Sequence, residues 1–347
     1  MERVFFVSKG GEYMFLSIIL LIIGMILLIK GADWFVEGSS NVAKALKISP
    51  LIIGLTLVSI GTSLPELSVS INSAFQGKTD MSFGNVVGSN IFNVLVVIGF
   101  SALFTPILIK KNLWFDLFTC IFIYILIALF AFVITPDVFD LFEAIALSII
   151  FVVYMVLIVL RAKKLKSNEE ENVENEKKPK KWYINALLII LGIAGIIGGG
   201  QLVVSSASKI AIDLGMSELL VALTIVAVGT SLPELVTSMV AAKKGENDIA
   251  IGNAIGSCIF NALMILGFSS VISAAKENPI DQLLNSRVDV IVMCISVLLI
   301  IFMAFTIKKV NRVGGAIMIL IYVAYLVYII LRNVQPDLFY CLNSVVL

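Results

Sequence analysis

The chain has 347 residues, of which 59% are hydrophobic and only 14% charged, with a mean hydropathy of +1.05. Soluble domains carry about 25% charged residues, so a water-soluble protein is excluded. A net charge of +1 gives no overall pull toward nucleic acid, and the lack of any histidine removes the commonest transition-metal ligand and the usual proton shuttle.

Apolar blocks long enough to cross about 30 Å of hydrocarbon as helices recur along the chain. They predict ten spans, at 13–30, 50–75, 82–107, 113–134, 139–160, 183–206, 218–242, 249–274, 288–307 and 314–331. The first is read as a span and not a secretory leader, because its apolar core is long and no small-x-small cleavage site precedes Asp33. The period-2 alternation of an outer-membrane barrel is absent. The expected fold is an all-α polytopic membrane protein with ten transmembrane helices. Cys120, Cys258, Cys294 and Cys341 show no paired spacing, and three lie in spans as small apolar residues.

One long polar run, AKKLKSNEEENVENEKKPKK at 162–181, divides the chain. It reads as a solvated linker, with a regulatory ion-binding role for Glu169, Glu170, Glu171, Glu174 and Glu176 as the alternative. In the ten-span plan one side holds Lys30, Lys44, Lys47, Lys110, Lys111, eight positive residues in 161–181, Lys243, Lys244, Lys308, Lys309 and Arg312. That is 18 of the 25 Lys and Arg. The positive-inside rule makes this side, with the 162–181 loop, cytoplasmic and puts both termini outside.

The sequence then repeats itself at an offset of 168. GTSLPEL occurs at Gly61–Leu67 and again at Gly229–Leu235. Gly84-Asn85, Gly88-Ser89 and Ile91-Phe92-Asn93 recur as Gly252-Asn253, Gly256-Ser257 and Ile259-Phe260-Asn261. The expected organisation is a first five-helix repeat at 1–161, the linker at 162–181 and a second repeat at 182–347. Five spans per half is an odd number, so the second half enters from the opposite face and the repeats are inverted.

Each motif puts a glutamate, Glu66 or Glu234, at mid-span, where a carboxylate is costly and marks a functional site. No Lys or Arg is expected at that depth. On a helix Thr62, Ser63 and Glu66 project to one side. Pro65 cannot donate to the Gly61 carbonyl, so the helix should open and free carbonyls around Ser59–Gly61. The same holds for Ala227–Gly229, Thr230, Ser231, Pro233 and Glu234. Asn85, Ser89 and Asn93 make a polar stripe on the next span, repeated by Asn253, Ser257 and Asn261. Gly84, Gly88, Gly252 and Gly256 are expected to let helices pack closely. The donors are all oxygen, which suits Ca²⁺, Na⁺ or Mg²⁺.

GTSLPE followed by GNxxGSxIxN, in two inverted copies, resembles the paired repeats of the sodium/calcium exchanger family. The resemblance covers both halves. It implies alternating access by sliding of two gating helices, and electrogenic exchange of several Na⁺ for one Ca²⁺. It implies Glu66 and Glu234 as central ligands, with oxygens from Thr62, Ser63, Ser89, Thr230, Ser231 and Ser257, and main-chain carbonyls near Ser59 and Ala227. Asn93 and Asn261 close the site. Some relatives, potassium-dependent ones among them, carry Asp where this chain has Asn261, so potassium-independent exchange is expected.

Two other functions compete. A proton/calcium or other cation antiporter could use the buried carboxylates to carry protons. Proton-coupled relatives, however, place a glutamate after their GN, where this chain has Val87 and Gly88 behind Gly84-Asn85-Val86. An intramembrane hydrolase would need two acids sharing one proton, and it leaves the surrounding oxygens without a purpose. The expectation is a multi-pass plasma-membrane antiporter, not an enzyme. Its partners are Ca²⁺, Na⁺ and the lipid bilayer, with no nucleic acid and no cofactor beyond the transported ions.

Overall fold

The computed structural model describes residues 2–135, 138–169, 181–276, 280 and 286–334. The first half runs through α1 (Glu2–Leu46), α2 (Pro50–Ile53), α3 (Ser59–Thr62), α4 (Leu64–Phe75), α5 (Thr79–Phe92), α6 (Ile98–Phe104), α7 (Trp114–Leu129) and α8 (Leu141–Glu169). The second half follows with α9 (Trp182–Asp213), α10 (Glu218–Val221), α11 (Ala227–Gly229) and α12 (Leu232–Lys243). It ends with α13 (Asn247–Phe260), α14 (Leu266–Ala275), α15 (Arg287–Thr306) and α16 (Arg312–Val334). Two-residue strands β1 (Ile107–Leu108) and β2 (Lys309–Val310) pair antiparallel across the halves.

Among the described residues, eight unbroken helices are long and apolar enough to cross a membrane. A ninth span results when Pro50–Thr62 and Leu64–Phe75, bent by 49° to each other, are taken together. The counterpart of that pair, the expected span 218–242, is cut into α10, α11 and α12. The first span is longer than its apolar run suggests. Helix α1 continues past Lys30, Asp33 and Glu37 to Leu46, because a helix ends where backbone bonding ends, not at the first charge. Arg161, counted above with the loop, lies within α8, which runs on to Glu169. Linker residues 170–180 lie outside the described residues.

The helix breaks fall in the repeated motif. Pro65 and Pro233 sit in the first turns of α4 and α12, where a missing N–H costs least. Immediately before, Ser63 (φ −83°, ψ 8°) and Ser231 (φ −92°, ψ 6°) leave the helical region. Wider π-type turns also recur in register, at Gly54–Val58 and Ala222–Val226, and at Asn93–Val97 and Asn261–Ile265. Such turns spoil the regular ladder and are frequent at functional sites.

Helices α1 and α9 lie against each other in opposite directions. Gly24 meets Gly199, and Gly31 meets Gly192 and Gly195. A methyl group on Gly199 would stand 2.5 Å from the Leu28 nitrogen, so the two backbones touch along a seam of small residues. Gly24 and Gly31 are the counterparts of Gly192 and Gly199 at the 168 offset. Equivalent helices packed antiparallel through equivalent residues make the two repeats inverted.

Outer helices cross between halves. Gly267 of α14 abuts Ser148 of α8, and Gly99 of α6 abuts Gly315 of α16. Within each half, an ion pair with a buried acid joins two neighbouring outer helices, α7 to α8 in the first and α15 to α16 in the second. Arg161 holds Asp116 at 2.7 Å with Tyr154 at 3.3 Å, and Arg332 holds Asp289 at 3.0 Å with Tyr325 at 3.1 Å.

Candidate functional site

The two broken segments bring their carboxylates together in a fully buried centre. Glu66 and Glu234 are both 0% exposed. Their hydrogen bonds cross between repeats: Ser63 Oγ donates to Glu234 Oε1 at 2.9 Å, and Ser231 Oγ donates to Glu66 Oε1 at 3.0 Å. The second oxygen of each carboxylate has no partner among the described residues. Ser89 also faces Glu66, while Thr62 and Ser257 face Glu234.

Helices α5 and α13 complete the surround. Asn93 and Asn261, each beginning a π-type turn, are fully buried with both amide atoms unpartnered among the described residues. Ser257 Oγ lies 3.5 Å from the Ser59 carbonyl. Asn85 Nδ2 donates to the Glu66 carbonyl (3.2 Å) and to Ser70 Oγ (2.9 Å); Asn253 Nδ2 donates to the Glu234 carbonyl (3.3 Å) and to Ser238 Oγ (2.9 Å). These two asparagines brace the main chain that carries each acid.

Among the described residues no basic side chain bonds either acid. Two like charges in a low-dielectric interior repel strongly and are costly to desolvate, so the centre requires cations, whether metal ions or protons. Among the described residues no group of three or more acidic, thiol or imidazole ligands forms. The donors gathered here are carboxylate, hydroxyl, amide and carbonyl oxygens, the set preferred by hard cations.

The two repeats are not in the same state. Ser59, Thr62 and Val58 are fully buried, whereas their counterparts Ala227 and Val226 are exposed and Thr230 is half-buried. Thr62 Oγ1 donates to Asn253 Oδ1 at 3.0 Å, while Thr230 Oγ1 has no partner among the described residues. Gly252 and Gly256 pack against Leu51, Gly54 and Leu55, as their small size predicts. Gly84 and Gly88 depart from that expectation: no described atom lies within 4 Å of where a Cβ would sit. The segment that would cover them, α10 with the π-type turn Ala222–Val226, packs less closely on α5 than α2 and Gly54–Val58 do on α13, while α11 still touches α5. A cavity of about 440 Å³ reaches in beside it, lined by Pro65, Ser68, Gly200, Val204, Ser208 and Thr230 among others. It runs along α9 toward the end of the molecule where Lys276 binds the Phe75 carbonyl. At the opposite end, near Lys244, the Phe35 ring closes against Gly61.

Glu66, Glu234, Ser63, Ser231, Thr62, Ser89, Ser257, Asn93, Asn261 and Ser59 are therefore brought to one buried centre, with Thr230 lining the cavity beside it, whereas Ala227 is exposed. The bracing role of Asn85 and Asn253 was not legible from the polar stripe alone. The ion pairs of Asp116 and Asp289 also escaped, although Tyr154 and Arg161, like Tyr325 and Arg332, are seven residues apart, a repeated spacing that marks them.

A family profile described as "Sodium/calcium exchanger protein" matches residues 16–160 and 184–331. The chain belongs to that family. It is a calcium- and sodium-transporting membrane antiporter and not an enzyme, which sets aside the hydrolase reading. Sodium/calcium exchanger MaX1 of Methanosarcina acetivorans is 32% identical over 352 residues, covering 90% of this chain and 97% of that protein. A protein of Alkalimonas amylolytica designated CaxA is 38% identical over 317 residues, covering 90% and 98%. The solved structure of the sodium-calcium exchanger NCX_Mj soaked with Na⁺ and Sr²⁺ superposes with a TM-score of 0.76 at 32% identity, covering 89% of this chain and 97% of that one. The nearly all-helical, inverted-repeat fold agrees with that likeness.

Proposed function

We propose that this protein exchanges Na⁺ for Ca²⁺ by alternating access, electrogenically and without potassium. The observation that carries the reading is the crossed pair, Ser63 to Glu234 and Ser231 to Glu66, with a free oxygen on each acid. Two carboxylates balance one Ca²⁺. The same oxygens, with Thr62, Ser89, Thr230, Ser257, Asn93, Asn261 and the carbonyls of Ser59 and Ala227, supply several weaker sites for Na⁺. Shared ligands make the ions compete, and a centre whose acids are neutralised only when loaded disfavours passage while empty.

Residues 1–161 and 182–347 form the two repeats in this reading, and 162–181 joins them on the cytoplasmic side. The termini then lie outside a plasma membrane, and the 440 Å³ cavity opens to the exterior. The test is ⁴⁵Ca²⁺ uptake by sodium-loaded proteoliposomes, with and without an imposed potential. Uptake should require internal sodium and respond to the potential. Uptake driven by a pH gradient without sodium would establish the proton-coupled alternative instead.

A further inference from the structure

We propose that Asp33, Ser40, Lys244 and Glu246 form a latch that holds α1 against the α12–α13 turn and biases the protein toward the state open at its Lys276 end. The proposal rests on the alternating-access reading above. Lys244 Nζ pairs with Asp33 Oδ1 at 2.7 Å and also reaches the Asp33 carbonyl at 3.0 Å. Ser40 Oγ donates to Glu246 Oε1 at 2.6 Å. Asp33 and Ser40 are two helical turns apart, on one face of α1. They engage the turn that follows the Glu234-bearing helix, so they close the Lys244 end.

The counterpart positions lack this chemistry. At the 168 offset, Asp33 and Lys244 correspond to Gln201 and Gln76, and Ser40 and Glu246 correspond to Ser208 and Lys78. No pair of opposite charges exists there to be made. Ser208 Oγ has no partner among the described residues, and Ser208 and Gln201 line the open cavity. These four positions of an otherwise duplicated protein therefore differ between the two ends: an ion pair and a charged hydrogen bond at one, no such pair at their counterparts in the other. An equilibrium between two states follows the contacts that differ between them. Lys244 and Asp33 are 32% and 38% exposed, and pairs in such positions contribute modestly, so each bond shifts the populations about two- to fivefold.

The experiment reads accessibility at Val36. It is 0% exposed, whereas its counterpart Val204 lines the open cavity. In oriented proteoliposomes, V36C is exposed to a membrane-impermeant maleimide from the Lys244 side, and the same chain without V36C gives the background from native cysteines. Adding K244M or D33N should raise the V36C labelling rate about two- to fivefold, and the exchanged pair D33K/K244D should return it toward the parent rate. Labelling of S205C, in the cavity at the other end, should not rise. An unchanged V36C rate in both single variants overturns the latch. So does a rise at both reporter positions, which is general loosening, or a charge exchange that restores nothing. Labelling needs no transport, so loss of sodium-driven flux with this pattern intact counts against the antiport reading and leaves the latch standing.

Discussion

The Ser63 hydroxyl donates to the Glu234 carboxylate at 2.9 Å, joining residues 171 positions apart in the chain. Neither repeat builds a site alone: each supplies an acid whose donor comes from the other. Removing the donor leaves a buried carboxylate oxygen short of a bond to a charged group, a loss of about 1.5–3 kcal/mol.

Ser63→Ala and Ser231→Ala should each weaken apparent calcium affinity about tenfold or more, and Ser63→Thr should retain much of it. Affinity is read from the calcium dependence of exchange. Wild-type affinity in both alanine variants would remove these serines from the site.

Glu66→Gln and Glu234→Gln should each abolish calcium exchange while the protein stays folded. Glutamine keeps size and hydrogen bonding but removes the charge that a divalent ion must meet. The melting temperature without calcium should hold or rise, because a buried, unpaired carboxylate is costly. Near-normal flux in either variant would show that the charge at that position is not used.

Asn253→Ala removes bonds to the Glu234 carbonyl, Ser238 and Thr62 at once. Supports behind a ligand typically matter by about 10–100-fold in ion affinity. The calcium affinity of the variant should fall by that order while its maximal rate changes less, as measured by initial uptake across a calcium series. A collapse of rate at unchanged affinity would place Asn253 in the conformational step instead.

Arg161→Met leaves Asp116, 0% exposed, without its counter-charge. Breaking such a pair from one side costs about 3–5 kcal/mol, so the variant should melt well below wild type in detergent. The double change Asp116→Asn with Arg161→Met should recover much of the loss. A double variant no better than the single would mean that packing of the arginine, not the stranded charge, is what matters.

Sodium-driven calcium flux should be the same in potassium-containing and potassium-free buffer at fixed membrane potential. Asn93 and Asn261 offer neutral amide oxygens, and two glutamates are already balanced by one Ca²⁺. A flux that demands potassium would refute this account of Asn261.

The spans were legible because hydrocarbon thickness sets a length, and the buried centre was legible because a mid-span acid has few other uses. The end of α1 was not: a charge such as Lys30 interrupts an apolar count without interrupting a helix. Nor was the difference between repeats. Gly84-Asn85 and Gly252-Asn253 are the same words in the sequence, yet Gly252 is pressed against Leu51 and Gly54 while Gly84 faces open space. Identical residues in two copies carry no signal of which copy is engaged, since that depends on where α1 and α9 stand relative to the rest. Asp116 and Asp289 were hidden for another reason, as their partners lie 45 and 43 residues away on neighbouring helices.

The glycine seam between α1 and α9 has a mechanical meaning. With backbone laid on backbone at Gly31 and Gly199, there is no cushion of side chains to absorb a displacement. Under the alternating access proposed above, the pair would move as one beam laid across the centre, carrying a push at Asp33 through to Ser208. Under that same proposal, a beam that cannot compress would let one doorway widen only as the other narrows, the interlock that an exchanger needs if it is never to become a leak.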